Sequence, residues 1–521
     1  MRRRDFMRWA TGTAATLAVP LRAWGRSTRP CNLLIIHTDE HNFRTLGCYR
    51  ELLPPEQALM WGDAVVETPN IDWIARQGAT CTSFYATTPV CSPSRAAFMS
   101  GRYPHNTPVN TNNIPMNDDV ITFAEVLRRR GYATGYAGKW HLDGTGKPQW
   151  GPQRKFGFAD NRYMFNRGHW KQLEDTPDGP RVKARKGRQP TYSVEGADAE
   201  SFTTDFLCDR TVDFLEAHKD GPFCYMVSLP DPHGPDTVRP PYDTMFKDQT
   251  YEVPRTFNKP AEGLPSWGAK QGAFLSMAHY YGMVKCIDDN VGKILACLRE
   301  NRLIDETIIV FTSDHGDLRG EHHRQNKGVP YEGSARIPFV IRYPGTIEAG
   351  TVIRQAMTCV DFKPTILRLL GVESFGLQEG RDCSMLFTDG KAPANWNDIA
   401  FMRGTGERDG WVAAVTPRYK LVYSTKDDPW LFDLEKDPDE LINAFAKREY
   451  RDTVRTLSTQ LRDYGQARSD PRLADARVQA DLKWAIEGSG AYLSSGMGPG
   501  RTKSSDARNT RAKPAARRRA P

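Results

Sequence analysis

Apolar residues along the chain switch repeatedly between two spacings. Asn32 to Thr38 reads N-L-L-I-I-H-T, apolar without alternation, as in a strand covered on both faces, and it runs straight into Asp39-Glu40. Phe223 to Leu229 and Thr307 to Thr312 repeat the pattern, the second ending in Ser313-Asp314, and Ala133 to Ala137 and Phe339 to Tyr343 are shorter strands. Helical spacing fills the gaps. Pro69 to Gln77 has Thr68 as a cap, proline at its first position and Gly78 as a stop. Further helices are predicted over Ser94 to Met99 (opened by Pro93), Thr122 to Arg130 (closed by Gly131), Ala199 to Ala217, within Phe274 to Asn301, and over Phe362 to Leu370 (ended by Gly371). This alternation predicts an α/β fold with a mostly parallel central sheet flanked by helices. Polar residues collect just past strand carboxyl ends, where such sheets place their sites.

From about 400 the texture changes. Trp411 to Thr416, Lys420 to Ser424 and Trp430 to Asp433 are short strands parted by turn residues, and Arg448 to Tyr464 is a helix. The reading is a small C-terminal antiparallel sheet plus helix. The expected division is a leader over 1–30, a catalytic α/β domain over 31–395, a C-terminal subdomain over 396–484 and a basic, largely disordered tail over 485–521. At 521 residues with 39% hydrophobic content, the chain is neither a stapled mini-domain nor a disordered or multispan protein.

The net charge of +8 belongs to the ends: residues 1–30 carry +6 and 501–521 carry +7, which leaves the body near −5. A nucleic-acid-binding body would need its own basic stripe. The one internal candidate, Arg181-Val-Lys183-Ala-Arg185-Lys186-Gly-Arg188, reads as a solvated loop, so no nucleic acid partner is expected. Arg3-Arg4-Asp5-Phe6-Met7-Arg8 before a short apolar stretch resembles a twin-arginine export signal. It implies the Tat translocase as a partner, a periplasmic or secreted location, and no integral membrane span in the mature protein. The ten cysteines show no close pairs and no framework, which argues against a zinc ribbon or disulfide scaffold.

Three signals carry chemistry. Cys91-Ser92-Pro93-Ser94-Arg95 puts a thiol at a helix entry with an arginine one turn on, a setting that lowers a thiol pKa and attracts an anion; a structural buried cysteine is the plain alternative. Asp39-Glu40 and Asp314-His315 close two strands that can meet across one crevice. Carboxylates with one imidazole suit a hard divalent ion better than structural zinc, and helix-capping aspartates are the plain alternative. Gly138-Lys139-Trp140-His141, Pro232-His233 and Lys327-Gly328 lie past predicted strands and would complete an anion pocket with Arg95.

These motifs resemble those of the type I, formylglycine-dependent sulfatases of the alkaline-phosphatase-like superfamily. Cys91 to Arg95, then Met99-Ser100-Gly101-Arg102, matches the Cys-x-Pro-Ser-Arg maturation motif with a varied tail. Thr68-Pro69-Asn70-Ile71-Asp72, Gly138 to His141, Thr312 to Asp317, Lys327 with Tyr331 to Pro338, and Leu431 to Glu440 extend the likeness nearly continuously from 31 to about 465. The resemblance implies a sulfuric ester hydrolase acting on a sulfate monoester. Cys91 would be converted by a formylglycine-generating enzyme to 3-oxoalanine, whose gem-diol is the nucleophile. One divalent cation, Ca²⁺ first with Mg²⁺ or Mn²⁺ as alternatives, would be held by Asp39, Glu40, residue 91, Asp314 and His315. Arg95 and His141 would bond the diol, Lys139 and Lys327 would clamp sulfate oxygens, His233 or Lys327 would protonate the leaving oxygen, and His141 would take the last proton.

Two departures matter. Glu40 stands where many members have a second aspartate, and His315 where many have asparagine. Aspartate-histidine also resembles phosphonate monoester and phosphodiester hydrolases sharing the formylglycine site, with the metal then held by Asp39, Asp314, His315 and residue 91. A binding or structural relative that lost catalysis would show a damaged motif, and none is seen. Loops 103–119, 143–190 and 236–270 would shape the rim, with Asn110, Asn112 and Asn113 facing substrate hydroxyls and Trp150, Tyr163 and Trp170 stacking on a sugar, each with loop packing as the plainer reading. A sulfated carbohydrate is the expected partner.

Overall fold

The structure is a computed structural model that describes residues 31–257, 264–268 and 272–494. The predicted leader and the tail beyond 494 lie outside the described residues. The main sheet has eight strands: β1 (Asn32–Asp39), β2 (Ala79–Cys81), β3 (Ala133–Lys139), β4 (Met164–Phe165), β5 (Phe223–Pro232), β6 (Thr307–Ser313), β7 (Phe339–Arg342) and β8 (Thr351–Ile353), in the spatial order β8-β2-β7-β6-β1-β5-β3-β4. β7 alone runs against the others, pairing antiparallel with both β6 and β2. The central strand is buried along its whole length, as its unbroken apolar run requires. Its residues alternate between two cores: Leu33 and Ile35 face one, Leu34 and Ile36 the other.

Register decides what meets at the strand ends. His37 pairs with Thr312 on one side and Ser228 on the other, and Ser228 pairs with Gly138. The residues just beyond, Asp39, Lys139, His233 and Asp314, are therefore neighbours before any side chain is placed. Gly138 permits the close approach, with φ at 101° and a Cβ there falling 2.0 Å from the Ser228 carbonyl oxygen.

Several elements differ from expectation. The helix α1 (Pro69–Arg76) starts with its proline as predicted, but the Thr68 hydroxyl does not cap it. It accepts from the Gly47 N–H at 2.9 Å and donates to Asp72 at 3.1 Å, so a tertiary contact takes the capping atom. The helix α2 (Cys91–Ser100) begins at Cys91 rather than Ser94, which places Pro93 inside its first turn, where a missing N–H costs nothing. The run Arg181 to Arg188 is not a loop but spans parts of two small hairpins, with Arg181 paired to Glu174 at 2.7 Å.

The C-terminal sheet has four antiparallel strands, β9 (Ala400–Arg403), β10 (Trp411–Val415), β11 (Tyr419–Ser424) and β12 (Trp430–Asp433), one more than predicted. Two helices cover it, at Arg451–Arg468 and Ala476–Glu487, where the sequence predicted one. The second crosses the boundary placed at 484, and the Tyr492 ring packs on Trp484 and Phe445, so the ordered body reaches into the expected tail. The other face of this sheet, with Trp411, Val422 and Phe432, packs on Leu318 and Tyr331 of the larger lobe. No described helix is long and apolar enough to cross a membrane. All ten cysteines are unpaired.

Candidate active site

Cys91 is the first residue of α2, every residue of which is buried. Its Sγ lies 3.2 Å from His315 Nε2 and 3.7 Å from Asp39 Oδ1. Burial and Asp39 push the thiol up, but the Lys139 and Lys327 ammoniums and His315 outweigh them and hold it well below the ordinary thiol value. Asn112 Oδ1 accepts from the Ser92 N–H at 2.9 Å and so serves the start of this helix.

Arg95, one turn on, does not reach toward position 91 as a free donor. Its Nε donates to Asp314 Oδ2 at 2.9 Å, its Nη2 to Asp39 Oδ2 at 3.0 Å, and its Nη1 to Ser228 Oγ at 2.7 Å and the Lys139 carbonyl at 2.8 Å. One buried guanidinium thus fixes both strand-end aspartates. Lys139 Nζ is 2.5 Å from Asp39 Oδ2 and 2.8 Å from His169 Nε2. Burial raises the Asp39 carboxyl, yet Lys139 and Arg95 hold it well below the usual carboxylate range.

Asp39, Cys91, Asp314 and His315 each offer a ligand atom, all within 4.8 Å of one another. Two further observations fit a cation there. The His315 Nδ1 lies 2.9 Å from the Gly316 carbonyl, an N–H donation that turns Nε2 into the cluster. Burial lowers the pKa of this imidazole, but Asp314 and the Cys91 side chain lift it to about 9; the acidic groups favour positive charge here, and an ion bound at Nε2 would take the place of that proton.

Glu40 is not part of that cluster. Its φ of 64° turns the chain as its N–H donates to Asp314 Oδ1 at 3.1 Å, and its Oε2 lies 3.0 Å from Lys327 Nζ and 2.9 Å from His233 Nε2. Oε2 thus anchors the basic residues, while Oε1 is buried without a partner. His233 Nε2 is also 2.8 Å from Lys327 Nζ, and its Nδ1 lies 2.9 Å from the Gly234 carbonyl. A neutral His233 accepts from Lys327; a protonated one donates to Glu40. Burial lowers its pKa, but Glu40 outweighs this and raises it. His141 Nε2 is 3.1 Å from Asn113 Oδ1, and its Nδ1 is buried without a partner.

The catalytic and ligand residues named from the sequence thus lie at this one locus, with Glu40 outside the four-residue cluster. Of the rim residues, Trp170 is buried and Tyr163 bonds Asp175 at 2.8 Å, while Asn112 and Asn113 are engaged inside the site. His169 was not visible in the sequence. Its ring stacks on His233 at 3.5 Å, and it follows Met164–Phe165, a strand too short to register as periodicity.

An open α/β sheet that gathers carboxylates, imidazoles, ammoniums and one buried thiol at its strand ends defines an enzyme class built to handle a tetrahedral anion. The Sulfatase family model matches residues 32–372, and the model for the N-sulphoglucosamine sulphohydrolase C-terminal region matches 320–467. The chain belongs to the sulfatase family, within the alkaline-phosphatase-like superfamily, and is a sulfatase. It is 27% identical to the N-acetylglucosamine-6-O-sulfatase of Bacteroides thetaiotaomicron, over 86% of this chain and 90% of that protein. It is 27% identical to the ulvan-active sulfatase of Formosa agariphila, over 83% and 80%. A solved structure of a protein bound to its substrate D-glucosamine-2-N,6-O-disulfate superposes with TM-score 0.71 at 24% identity, covering 85% of this chain and 99% of that one. The phosphonate monoester hydrolase of Agrobacterium radiobacter superposes with TM-score 0.66 at 24% identity, covering 85% and 97%.

Proposed function

We propose that this sulfatase cleaves a sulfate monoester on a carbohydrate, using formylglycine made from Cys91 and one divalent cation. The observation that carries it is the placement of Cys91, buried at a helix start, 3.2 Å from His315 and 3.7 Å from Asp39, inside an intact Cys-x-Pro-Ser-Arg motif. Asp39, Asp314, His315 and position 91 would hold the ion, Ca²⁺ first by their oxygen-rich character, with Mg²⁺ or Mn²⁺ as alternatives. The ion supplies Lewis acidity and positive charge for the sulfate oxygens. A hydrated aldehyde at 91 supplies two hydroxyls on one carbon, one to take the sulfuryl group and one whose deprotonation releases it.

The remaining work falls to fixed side chains. Arg95 keeps the two aspartates in place. Lys139 and Lys327 offer ammonium charge to the transferring group, where electrostatic stabilisation is largest. His233, held between Glu40 and Lys327, delivers a proton to the leaving oxygen. Relatives named for N-acetylglucosamine 6-sulfate and ulvan support a sulfated glycan as substrate. A maturation enzyme would act on Cys91, and the leader would carry the folded protein through the Tat translocase to the periplasm. In cell fractionation, Arg3→Lys with Arg4→Lys is expected to trap the protein in the cytoplasm; unchanged export would overturn the leader assignment.

A second reading, phosphonate monoester or phosphodiester hydrolysis, is favoured by the Asp314-His315 pair and by Glu40 standing outside the ligand cluster. Protein co-expressed with a formylglycine-generating enzyme should be assayed on matched sulfate monoester, phosphate diester and phosphonate monoester. A higher kcat/KM for the sulfate supports the first reading, and a higher value for either phosphorus ester replaces it with the second.

A further inference from the structure

The basic run at 181–188, which no catalytic role uses, is mounted on the wall of the active site. Val182 and Ala184 are buried, while Arg181, Lys183, Arg185, Lys186 and Arg188 are exposed. Two of these charges are answered locally: Arg181 bonds Glu174 at 2.7 Å, and the charge of Lys183 acts on the Asp198 carboxyl. The other three sit on the second hairpin, where Arg185 pairs with Pro190 and Lys186 with Gln189. Gly187, with φ 61°, takes the first position of the two-residue turn, a conformation glycine adopts without strain, and Arg185 donates to the Arg188 carbonyl across it. Among the described residues no acidic side chain pairs with Arg185, Lys186 or Arg188. Three like charges on so short a ribbon repel one another, and no partner on the protein neutralises them.

The same strand leads into the site. The Thr191 N–H donates to the Ala184 carbonyl at 2.9 Å, and the next residue, Tyr192, has its ring 6.2 Å from that of His169 and 4.8 Å from that of Trp170. His169 is the imidazole stacked on His233 and 2.8 Å from Lys139 Nζ. Lys147 lies between hairpin and pocket. It is exposed, and its Nζ is 4.9 Å from the Tyr192 ring centre and 5.5 Å from that of Trp170. Aromatic faces hold this ammonium rather than a carboxylate, so its charge is left unneutralised. The turn of the hairpin begins about 10 Å along the strand from Tyr192, at about 3.3 Å per residue. Cations therefore run from Lys139 through Lys147 to Arg185, Lys186 and Arg188, in a body whose net charge is near −5.

We infer that Lys147 and this hairpin form an anion track that takes the continuation of a polyanionic glycan chain while one of its sulfate groups occupies the catalytic pocket. The inference deepens the sulfatase reading and rests on it for the nature of the chain. An exposed ion pair adds little alone. Once one sulfate is seated, the next charges of the same chain meet the track at high effective concentration, so several weak pairs add up.

Arg185→Gln, Lys186→Gln and Arg188→Gln together remove the charge and keep polar side chains at exposed positions. Unmatured wild type and triple variant are titrated with fluorescent dextran sulfate; the basic ends of the chain are common to both and cancel in the comparison. The Kd is expected to rise about 10-fold in the triple variant, with no fall in melting temperature, and about twofold in Lys147→Gln, which lies on a separate loop. With matured protein, dextran sulfate should compete with the small sulfate monoester, and the ratio of its Ki to that of inorganic sulfate should rise by the same factor in the triple variant. An unchanged Kd in the triple variant, or inhibition that does not compete with the ester, would overturn the track. Single-stranded DNA of equal charge lacks the group that seats in the pocket, so competition by it as strong as by dextran sulfate would overturn the glycan as occupant. A matured wild type inert on sulfate esters, with binding that still depends on the hairpin, would sink the sulfatase reading and leave the track standing; hydrolysis with an unchanged Kd would do the reverse.

Discussion

Glu40 shows how one methylene redirects a residue. An aspartate at this position would stop near the Asp39–Asp314 cluster, whereas the glutamate carries its Oε2 on to Lys327 and His233. Burial disfavours its charge, but His233 and Lys327 outweigh this and hold the carboxyl far below its ordinary value. The contacts of Oε2 give Glu40 a role in supporting the acid and the clamp. Glu40→Gln is therefore expected to keep the bound metal while lowering kcat by about 10²-fold, because His233 and Lys327 lose their anchor. Asp39→Asn, by contrast, should lose metal, since it removes charge from the ligand cluster itself. Elemental analysis of both purified variants beside their kcat values checks this, and metal loss in Glu40→Gln would return that residue to the ligand set. The sequence made Asp39, Asp314 and Cys91 legible because strand ends and a helix start are local features. It could not separate Glu40 from the ligands, because reach depends on a turn with positive φ. Nor could it find His169, or pair Asn113 with His141, because both contacts arise only where distant loops touch.

Among the elements, helix packing adds a pH-dependent contact remote from the site. Asp288, on the long helix Ala278–Glu300, accepts from the backbone N–H groups of Asn70 and Ile71 at 3.0 and 2.9 Å, at the start of α1. Burial raises its carboxyl to about 6 despite these bonds. A raised carboxyl pKa means the folded state holds the proton more tightly than the unfolded chain. Its contribution to stability is therefore most favourable at low pH, and is lost as pH rises from the unfolded value through about 6. A neutral amide in its place would keep one oxygen for the two backbone donors without carrying charge, with Asn70, whose Nδ2 donates to the second Asp288 oxygen at 3.0 Å, turning its own amide oxygen to the new NH2. Asp288→Asn is expected to melt higher than wild type at pH 7.5, by an amount worth up to about 3 kcal/mol, with the gap closing by pH 4. Thermal unfolding across that range is the measurement, and a gap independent of pH would refute the argument. The helices themselves were readable because proline, glycine and 3.6-residue spacing mark them locally. The missed strand β9 has no such marks, whereas the second C-terminal helix does: Asp475 caps it, Val478, Leu482 and Ala485 follow helical spacing and Gly488 ends it. Ala400–Arg403 is only four residues long, and the 476–487 helix buries just Val478, Asp481, Leu482 and Ala485.

Across the whole molecule, the two lobes are joined by a buried charge cluster a few residues along the chain from Lys327. Lys420, in the middle of the C-terminal sheet, is fully buried and donates to Glu332 at 2.6 Å, Glu440 at 2.8 Å and the Pro330 carbonyl at 2.7 Å. Glu440 also accepts from the Glu332 N–H at 2.7 Å. Glu332 and Pro330 lie a few residues beyond Lys327, so this cluster sets the path of the segment that delivers the clamp. Lys420→Met fills a similar volume but leaves Glu440 without a counter-charge and Glu332 with only Arg336, 3.5 Å away. Breaking such a cluster from one side costs about 3–5 kcal/mol, whereas replacing all its members by neutral groups is far less costly. The expectation is a large fall in melting temperature for Lys420→Met, with kcat reduced through Lys327. Adding Glu332→Gln and Glu440→Gln should restore much of the stability without restoring kcat, because the neutral trio no longer ties the segment to the sheet by charge. If the triple variant regained both together, the C-terminal sheet would be only a stabilising cover; if it regained stability alone, the sheet would be part of what aims the active site.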